Sequence, residues 1–322
     1  MRYFVIGGAG FIGSHVVRTL IKDGFNVTIF DNFSSGEEWH LETVIRDKKL
    51  NIIKGDIKEI ELLTSSMNKD DTVYHFASNP DIAKAVKQPD IDFWEGTYLT
   101  NNVLEAMRNS GANRLIYASG SGVYGETGIK PIKENWPNMR PISTYGASKL
   151  ACEALICSYS YMFNINAAGF RFANVVGPNQ THGVGYDFIR RLLENPNELS
   201  IMGDGTQNKS YIYVDDVISA MRIIENKYLK GFDVFNVATL ESITVTDIAN
   251  ITIDILGIKN VNFKFSGGDR GWKGDVPVIS MDSSKIRALG WKNKYTTKEA
   301  IYESISSIYN DAKIGKFTGW NK

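Results

Sequence analysis

The stretch Gly7-Gly8-Ala9-Gly10-Phe11-Ile12-Gly13 follows a short apolar run and leads into a helical pattern, and it restricts the fold more than any other part of the chain. Gly7, Gly10 and Gly13 give the spacing G-x-x-G-x-x-G. Without side chains the backbone turns tightly from strand to helix and approaches a pyrophosphate, whose charge meets the helix N-terminus beside Phe11 and Ile12. A glycine pattern alone is weak evidence; the strand before it and the helix after it give it meaning. Asp31 closes the next apolar run, about twenty residues on. A carboxylate there accepts hydrogen bonds from ribose hydroxyls and repels a 2′-phosphate, so the pattern favours NAD over NADP. The competing reading is a structural turn with a strand-end Asp as its cap.

The first half of the chain alternates β-rich runs with helical patterns, as a parallel sheet with crossover helices does. Strands are expected at Tyr3–Ile6, Asn26–Phe30, Asn51–Lys54, Thr72–Phe76, Arg114–Ala118 and Ala167–Phe172, and helices at Phe11–Asp23, Tyr98–Ser110 and Tyr145–Phe163. The strands are apolar throughout, which fits a sheet covered on both faces. The expected class is α/β: a Rossmann-type doubly wound parallel sheet with a smaller C-terminal α/β substrate-binding region. Regular alternation stops at Gly177-Pro178-Asn179-Gln180, so residues 1–176 are assigned to the NAD-binding unit and 177–322 to the second region. Helices are expected there at Gly183–Glu194, Asp215–Glu225 and Thr246–Leu256. Asp233–Val237 reads as a strand returning to the sheet, which would place a segment near 211–240 with the first unit. A cleft between the two parts is the default place for a substrate.

Lys and Arg number 36 and so do Asp and Glu, so no global charge favours nucleic acid or an anionic membrane as partner. An anionic ligand must be met by local charges. No apolar stretch approaches the roughly 20 residues that span a membrane, and the N-terminal residues run into the glycine turn rather than through a secretory leader. Cys152 and Cys157 fall in one expected helix at a spacing poor for bridging, which points to reduced thiols and a cytoplasmic setting.

Tyr145 and Lys149 are four residues apart in an expected helix, which puts a phenol and an ammonium on one face, one turn apart. An ammonium beside a phenol favours the phenolate, which can take a proton from a substrate hydroxyl while a cofactor accepts the hydride. Asp56 follows the third strand and is either a ligand for the adenine amino group or a cap for a helix at Ile57–Leu63. His75 ends the fourth strand, where an imidazole is more often a packing residue than a catalyst.

With the glycine turn, Asp31, Gly55-Asp56-Ile57, His75-Phe76-Ala77 and Tyr145-x-x-x-Lys149 in this order, the chain resembles the extended short-chain dehydrogenase/reductases. Within them it is similar to the NAD-dependent sugar-nucleotide epimerase/dehydratase group, and most to UDP-glucose 4-epimerase-type enzymes. Arg171-Phe172-Ala173-Asn174, Tyr211-Ile212-Tyr213-Val214-Asp215-Asp216 and Gly274-Asp275-Val276-Pro277 extend the resemblance over nearly the whole chain. It implies a cofactor site of Gly7, Gly10, Phe11, Ile12, Gly13, Asp31, Asn32, Asp56, Ile57, Ala77, Tyr145 and Lys149. It implies Tyr145 as base, Lys149 as its tuning partner, and Asn174 on the substrate. No metal is called for. The substrate would be a UDP- or GDP-linked sugar oxidised at C4 to a ketone, and the protein a homodimer through the helices at Tyr98–Ser110 and Tyr145–Phe163.

Departures from the resemblance carry information too. Relatives place Ser or Thr four residues before the Tyr of a V-Y-G motif; here that residue is Gly120, and Ser121 is the chosen replacement hydroxyl, with a plain turn as the alternative. The 4,6-dehydratases follow their Thr with an Asp-Glu pair, whereas Ser121 and Gly122 stand here and neither shuttles a proton; only Glu126 lies near. Lys209 replaces the Arg expected at the diphosphate, Arg270 stands near where a second one is expected, and Asp275 is assigned to the nucleotide ribose. The leading expectation is C4 epimerisation. Net C4 oxidation or reduction is the alternative reaction, and an NAD-sensing protein the non-enzymatic one.

Overall fold

The computed structural model describes residues 2–317. Among them a seven-stranded parallel sheet is built from β1 (Arg2–Ile6), β2 (Asn26–Asp31), β3 (Leu50–Lys54), β4 (Asp71–His75), β5 (Arg114–Gly120), β6 (Asn166–Phe172) and the strand Phe232–Val237. Their order across the sheet is Phe232–Val237, β6, β5, β4, β1, β2, β3. The order reverses between β1 and β4, and ligands of open α/β sheets sit in the crevice beyond the strand ends at such a switch. Ile6 lies opposite His75 in this pair, so the crevice opens between Gly7 and Phe76-Ala77. Phe232–Val237 pairs with β6 in parallel, Phe235 opposite Phe170.

Side-chain alternation along β1 explains the layers. Tyr3 and Val5 point to the face covered by α1 (Phe11–Lys22) and α6 (Val214–Lys227), among Val17, Leu20, Ile218 and Met221. Phe4 and Ile6 point to the other face, under α2 (Ile60–Ser66), α3 (Leu99–Ser110) and α4 (Thr144–Phe163), among Leu63, Val103, Met107 and Ile156. The first core continues into the C-terminal region through Leu192, Leu199, Ile248, Trp291 and Ile305. That region consists of α5 (Val184–Glu194), α7 (Val245–Leu256), α8 (Ser284–Ala288), α9 (Thr297–Lys313) and short ladders. One ladder holds Asn208–Lys209 between Ile243–Thr244 and Val278–Ile279; another pairs Tyr211–Tyr213 with Asn174–Val176.

Two expectations are corrected. The helix after β3 runs over Ile60–Ser66 rather than from Ile57, so Asp56 does not cap it. Asp56 instead closes a turn, its Oδ1 accepting the Lys58 N–H at 2.9 Å. The helix expected from Tyr98 is preceded by a π-helical turn, Phe93–Tyr98, and becomes regular at Leu99. Among the described residues no helix is long and apolar enough to cross a membrane. Cys152 is buried, Cys157 exposed, and both are free thiols.

His15, His40 and His75 are buried, and His75 packs as an uncharged core residue whose Nε2 meets Thr100 Oγ1 at 3.1 Å. Burial lowers the pKa of all three, that of His40 to about 4 and that of His75, with Lys149 adding to the effect, to about 3. These groups stay neutral in the fold but protonate in the unfolded chain below about 6.5, so the unfolded state binds more protons there. The stability they support is intact above pH 6.5 and is lost as the pH falls toward 4, His75 extending the loss toward 3. At pH 5 His40 and His75 each remove about 2 kcal/mol. Denaturant midpoints are expected to be clearly lower at pH 5 than at pH 7.5, and equal midpoints would contradict this assignment.

Candidate active site

The glycine turn is shaped by contacts that admit no side chain. Gly7 has φ +75°, and a Cβ on it would stand 2.8 Å from the Ala77 nitrogen across the switch point. A Cβ on Gly13 would overlap the Gly7 carbonyl oxygen. The Gly10 position at the start of α1 carries no side-chain cap, so the helix N-terminus faces the crevice. Asp31 lies at the far wall, 8% exposed, with Oδ2 accepting the Ala9 N–H at 2.8 Å and Oδ1 the Phe33 N–H at 2.9 Å. Burial pushes its carboxyl up from the usual range, and those two N–H groups act the other way. Asn32 Nδ2 donates to Asp56 Oδ2 at 3.1 Å, which brings both side chains to the same rim, with Ile57 buried behind them. Phe11, Ile12 and Ala77 line the same crevice. A backbone cradle at a helix N-terminus, followed by a carboxylate at the end of β2, fits the pyrophosphate and ribose of NAD.

Tyr145 and Lys149 lie in the first turns of α4, which is capped where Ser143 Oγ accepts the Gly146 N–H at 3.1 Å. The Lys149 ammonium stands 5.4 Å from the Tyr145 ring centre and 5.1 Å from that of Tyr117. It is 4% exposed and donates to the Ala118 carbonyl at 2.8 Å, which fixes it at the end of β5. The loop after β5 docks closely on this turn, where a Cβ added to Gly122 would stand 3.3 Å from Gly146 Cα. A Cβ on Gly120 would lie 4.0 Å from the Tyr145 hydroxyl in ordinary contact, so this position faces the phenol and has room for a side chain. Ser119 is committed elsewhere, donating to Glu153 Oε1 at 2.6 Å. Ser121 opens a short turn, Ser121–Val123, on the cleft wall.

Behind this loop lies a buried ion pair that sequence reasoning missed. Arg171 holds Glu153 with both arms, Nη2 to Oε2 at 2.6 Å and Nε to Oε1 at 3.0 Å. Its Nη1 donates to the Tyr124 hydroxyl at 2.8 Å, and Tyr124 donates to Asn236 at 2.6 Å. α4, β6 and the strand Phe232–Val237 thus converge under the Ser119–Gly122 segment. Glu153, one turn beyond Lys149 in an apolar helix, was the visible signal.

The cleft occupies about 860 Å³ and runs from the glycine turn past Tyr145 to the C-terminal region. At its far end Lys209 and Asp275 are paired at 2.5 Å, and Asp275 Oδ2 also accepts the Gly271 N–H at 3.1 Å. Asn174 is exposed to the cleft, its amide donating to the Ser210 carbonyl at 3.3 Å. Arg270 is not brought to this group: its guanidinium bonds Glu126 at 2.7 Å and Asp269 at 3.2 Å on the surface. Arg191 of α5 lines the same cleft as Lys209, and its Nη1 donates to the Ser200 carbonyl at 2.6 Å. Gln207, buried on the same wall, has an Oε1 without a partner. Ile301, Ser304 and Ile305 of α9 complete the wall. No motif marked Arg191 or Gln207, whereas α9 had a legible start in Thr296-x-x-Glu299, a capping box that sequence reasoning passed over. Among the described residues no group of His, Cys, Asp and Glu could hold a metal ion.

The chain is similar to known proteins over nearly its whole length. The UDP-glucose 4-epimerase of Lactobacillus helveticus is 30% identical over 322 residues, covering 92% of this chain and 93% of that one. A crystal structure of a UDP-galactose 4-epimerase superposes with a TM-score of 0.87 at 34% identity, covering 97% of this chain and 99% of the other. The Thermus thermophilus UDP-glucose 4-epimerase, solved as a complex with NAD, superposes with a TM-score of 0.83 at 29% identity, covering 96% and 99%. Residues 3–238 match the profile of the NAD dependent epimerase/dehydratase family, and the chain belongs to that family of NAD-using enzymes.

Proposed function

We propose that the chain catalyses C4 epimerisation of a nucleotide-diphosphate sugar, UDP- or GDP-linked, through a 4-keto intermediate. One observation carries this reading: the Tyr145–Lys149 pair faces the middle of a single cleft that has the glycine cradle at one end and Lys209–Asp275 at the other. NAD, when bound, accepts hydride from C4 and later returns it. Tyr145 takes the proton of the C4 hydroxyl as the C–H bond breaks, so the sugar becomes a ketone without a charged oxygen left behind. Lys149, held by Ala118 at 2.8 Å and 5.4 Å from the Tyr145 ring centre, binds the nicotinamide ribose. Ser121 supplies the hydroxyl that Gly120 lacks. The ketone turns in the cleft, hydride returns to its other face, and Tyr145 gives the proton back. Lys209 and Arg191 meet the diphosphate, Asp275 the ribose and Asn174 the substrate. In this reading residues 1–176 form the NAD-binding unit and 177–322 the sugar-nucleotide-binding region, and two copies pair through α3 and α4, the latter ending in exposed Tyr161, Met162 and Phe163.

Loss of water from C6 is disfavoured because Ser121 and Gly122 carry no acid, and Glu126, the acid nearest to them in sequence, is engaged with Arg270 at the surface. Net C4 oxidation is the second reading, favoured by Gly120, since an altered proton relay suits altered chemistry. A panel of UDP-, GDP- and dTDP-sugars separates the two. Proton NMR is expected to show one sugar converted to its C4 epimer, with no growth of absorbance at 340 nm. A 4-ketone formed with stoichiometric NADH would sink the epimerase reading.

A further inference from the structure

Asp92 immediately precedes the π-helical turn Phe93–Tyr98 and is 1% exposed. Its three acceptors hold three different parts of the site. Oδ2 accepts the Thr144 hydroxyl at 2.7 Å, Oδ1 the Asn79 amide at 2.9 Å, and the main-chain carbonyl the Ser148 hydroxyl at 2.7 Å. Thr144 directly precedes Tyr145 and Ser148 directly precedes Lys149, so one residue anchors the neighbour of each. Asn79 in turn ties the 79–81 turn on the cleft wall, donating to the Asp81 carbonyl at 2.9 Å and accepting its N–H at 3.0 Å. Gly96 permits the arrangement, because a Cβ there would overlap the Ser148 hydroxyl, which also meets Thr97 Oγ1 at 2.9 Å.

We propose that Asp92 is a positioning residue that couples the 79–81 turn to the part of α4 carrying Tyr145 and Lys149. This rests on the function proposed above. A buried carboxylate receiving two neutral donors makes short, directional hydrogen bonds and fixes both donors. An amide in its place keeps its oxygen for the Asn79 amide but meets the Thr144 hydroxyl with a neutral N–H, so the charge-assisted anchor on Thr144 is lost. Tyr145 then leaves its line to the substrate hydroxyl, and a displacement of about 1 Å at a reacting group costs on the order of 100-fold in rate.

Asp92→Asn and Thr144→Val test this, the latter at an exposed position where folding is not at stake. Both are to be measured for kcat, KM and Tm, and for the ring-carbon NMR signal of Tyr145 in protein labelled with 13C-tyrosine, assigned through Tyr145→Phe. Each variant is expected to lose about 10- to 100-fold in kcat with KM within about threefold of wild type. The double variant is expected to be no slower than Asp92→Asn, because both changes remove the same contact. The Tyr145 signal is expected to move in each. A kcat within about twofold of wild type, losses that multiply in the double variant, or an unmoved Tyr145 signal would overturn the proposal. Should Asp92→Asn not fold, Thr144→Val decides alone. If the wild-type protein turns over no nucleotide sugar, the proposed function fails, and the Tyr145 signal still decides the role of Asp92.

Discussion

Tyr145→Phe is expected to lower kcat by roughly 1000-fold, within the range that a positioned acid–base group contributes. The ring, its place at the start of α4 and the Lys149 contact at 5.4 Å do not need the hydroxyl. KM for the sugar nucleotide and the amount of NAD carried by the purified protein are therefore expected to stay near wild type. Loss confined to kcat is the mark of an interaction made in the transition state. Steady-state kinetics, together with the NAD content of denatured protein, check the split. Retained turnover would remove Tyr145 from the chemistry, and a cellular role unchanged in this variant would favour NAD sensing.

Arg171→Met is expected to have the largest effect on stability. The Glu153 carboxylate is buried, and its strongest partner is the two-armed Arg171 guanidinium. Removing that partner leaves a charge without compensation in the interior, which costs about 3–5 kcal/mol. Tyr124 loses a donor in the same step, so the floor beneath the Ser119–Gly122 loop loosens and activity falls as well. Adding Glu153→Met to Arg171→Met is expected to recover much of the lost stability, because an uncharged pair of similar volume carries no desolvation penalty. Urea unfolding of the two variants decides this. A double variant no more stable than Arg171→Met alone would contradict the charge argument.

How much of this was legible in the sequence depends on the range of the interaction concerned. β1 to β6 were found to within a residue or two because each is an apolar run bounded by turns. Phe232–Val237 was recognised for the same reason. The glycine turn was readable because steric exclusion at Gly7 and Gly13 is written in residue type. The π-helical turn at Phe93–Tyr98 was not, since it arises where Gly96 lets Ser148 come close, a contact across 52 residues. The two-residue strands that fix Lys209 are too short to show any period. Arg270 is one turn of chain from Gly274-Asp275 in sequence, yet Glu126 draws it away on the surface. Arg191 is one of two adjacent arginines on α5, and only the packing of that helix selects which of them lines the cleft.

The Lys209–Asp275 pair gives the lysine at this end of the cleft its own counterion. An incoming anion does not meet a bare positive charge; it competes with a carboxylate already 2.5 Å from the ammonium and largely shielded from solvent. Inorganic phosphate offers Lys209 a replacement but leaves Asp275 stranded. In the proposed reading a nucleotide diphosphate would serve both at once, its phosphate taking the lysine while a ribose hydroxyl donates to the released carboxylate. On that reading the pair would act as a resident competitor that a two-headed ligand displaces more readily than a simple anion does. Such a device lets an enzyme ignore the abundant small anions of its surroundings without needing a tighter grip on its substrate.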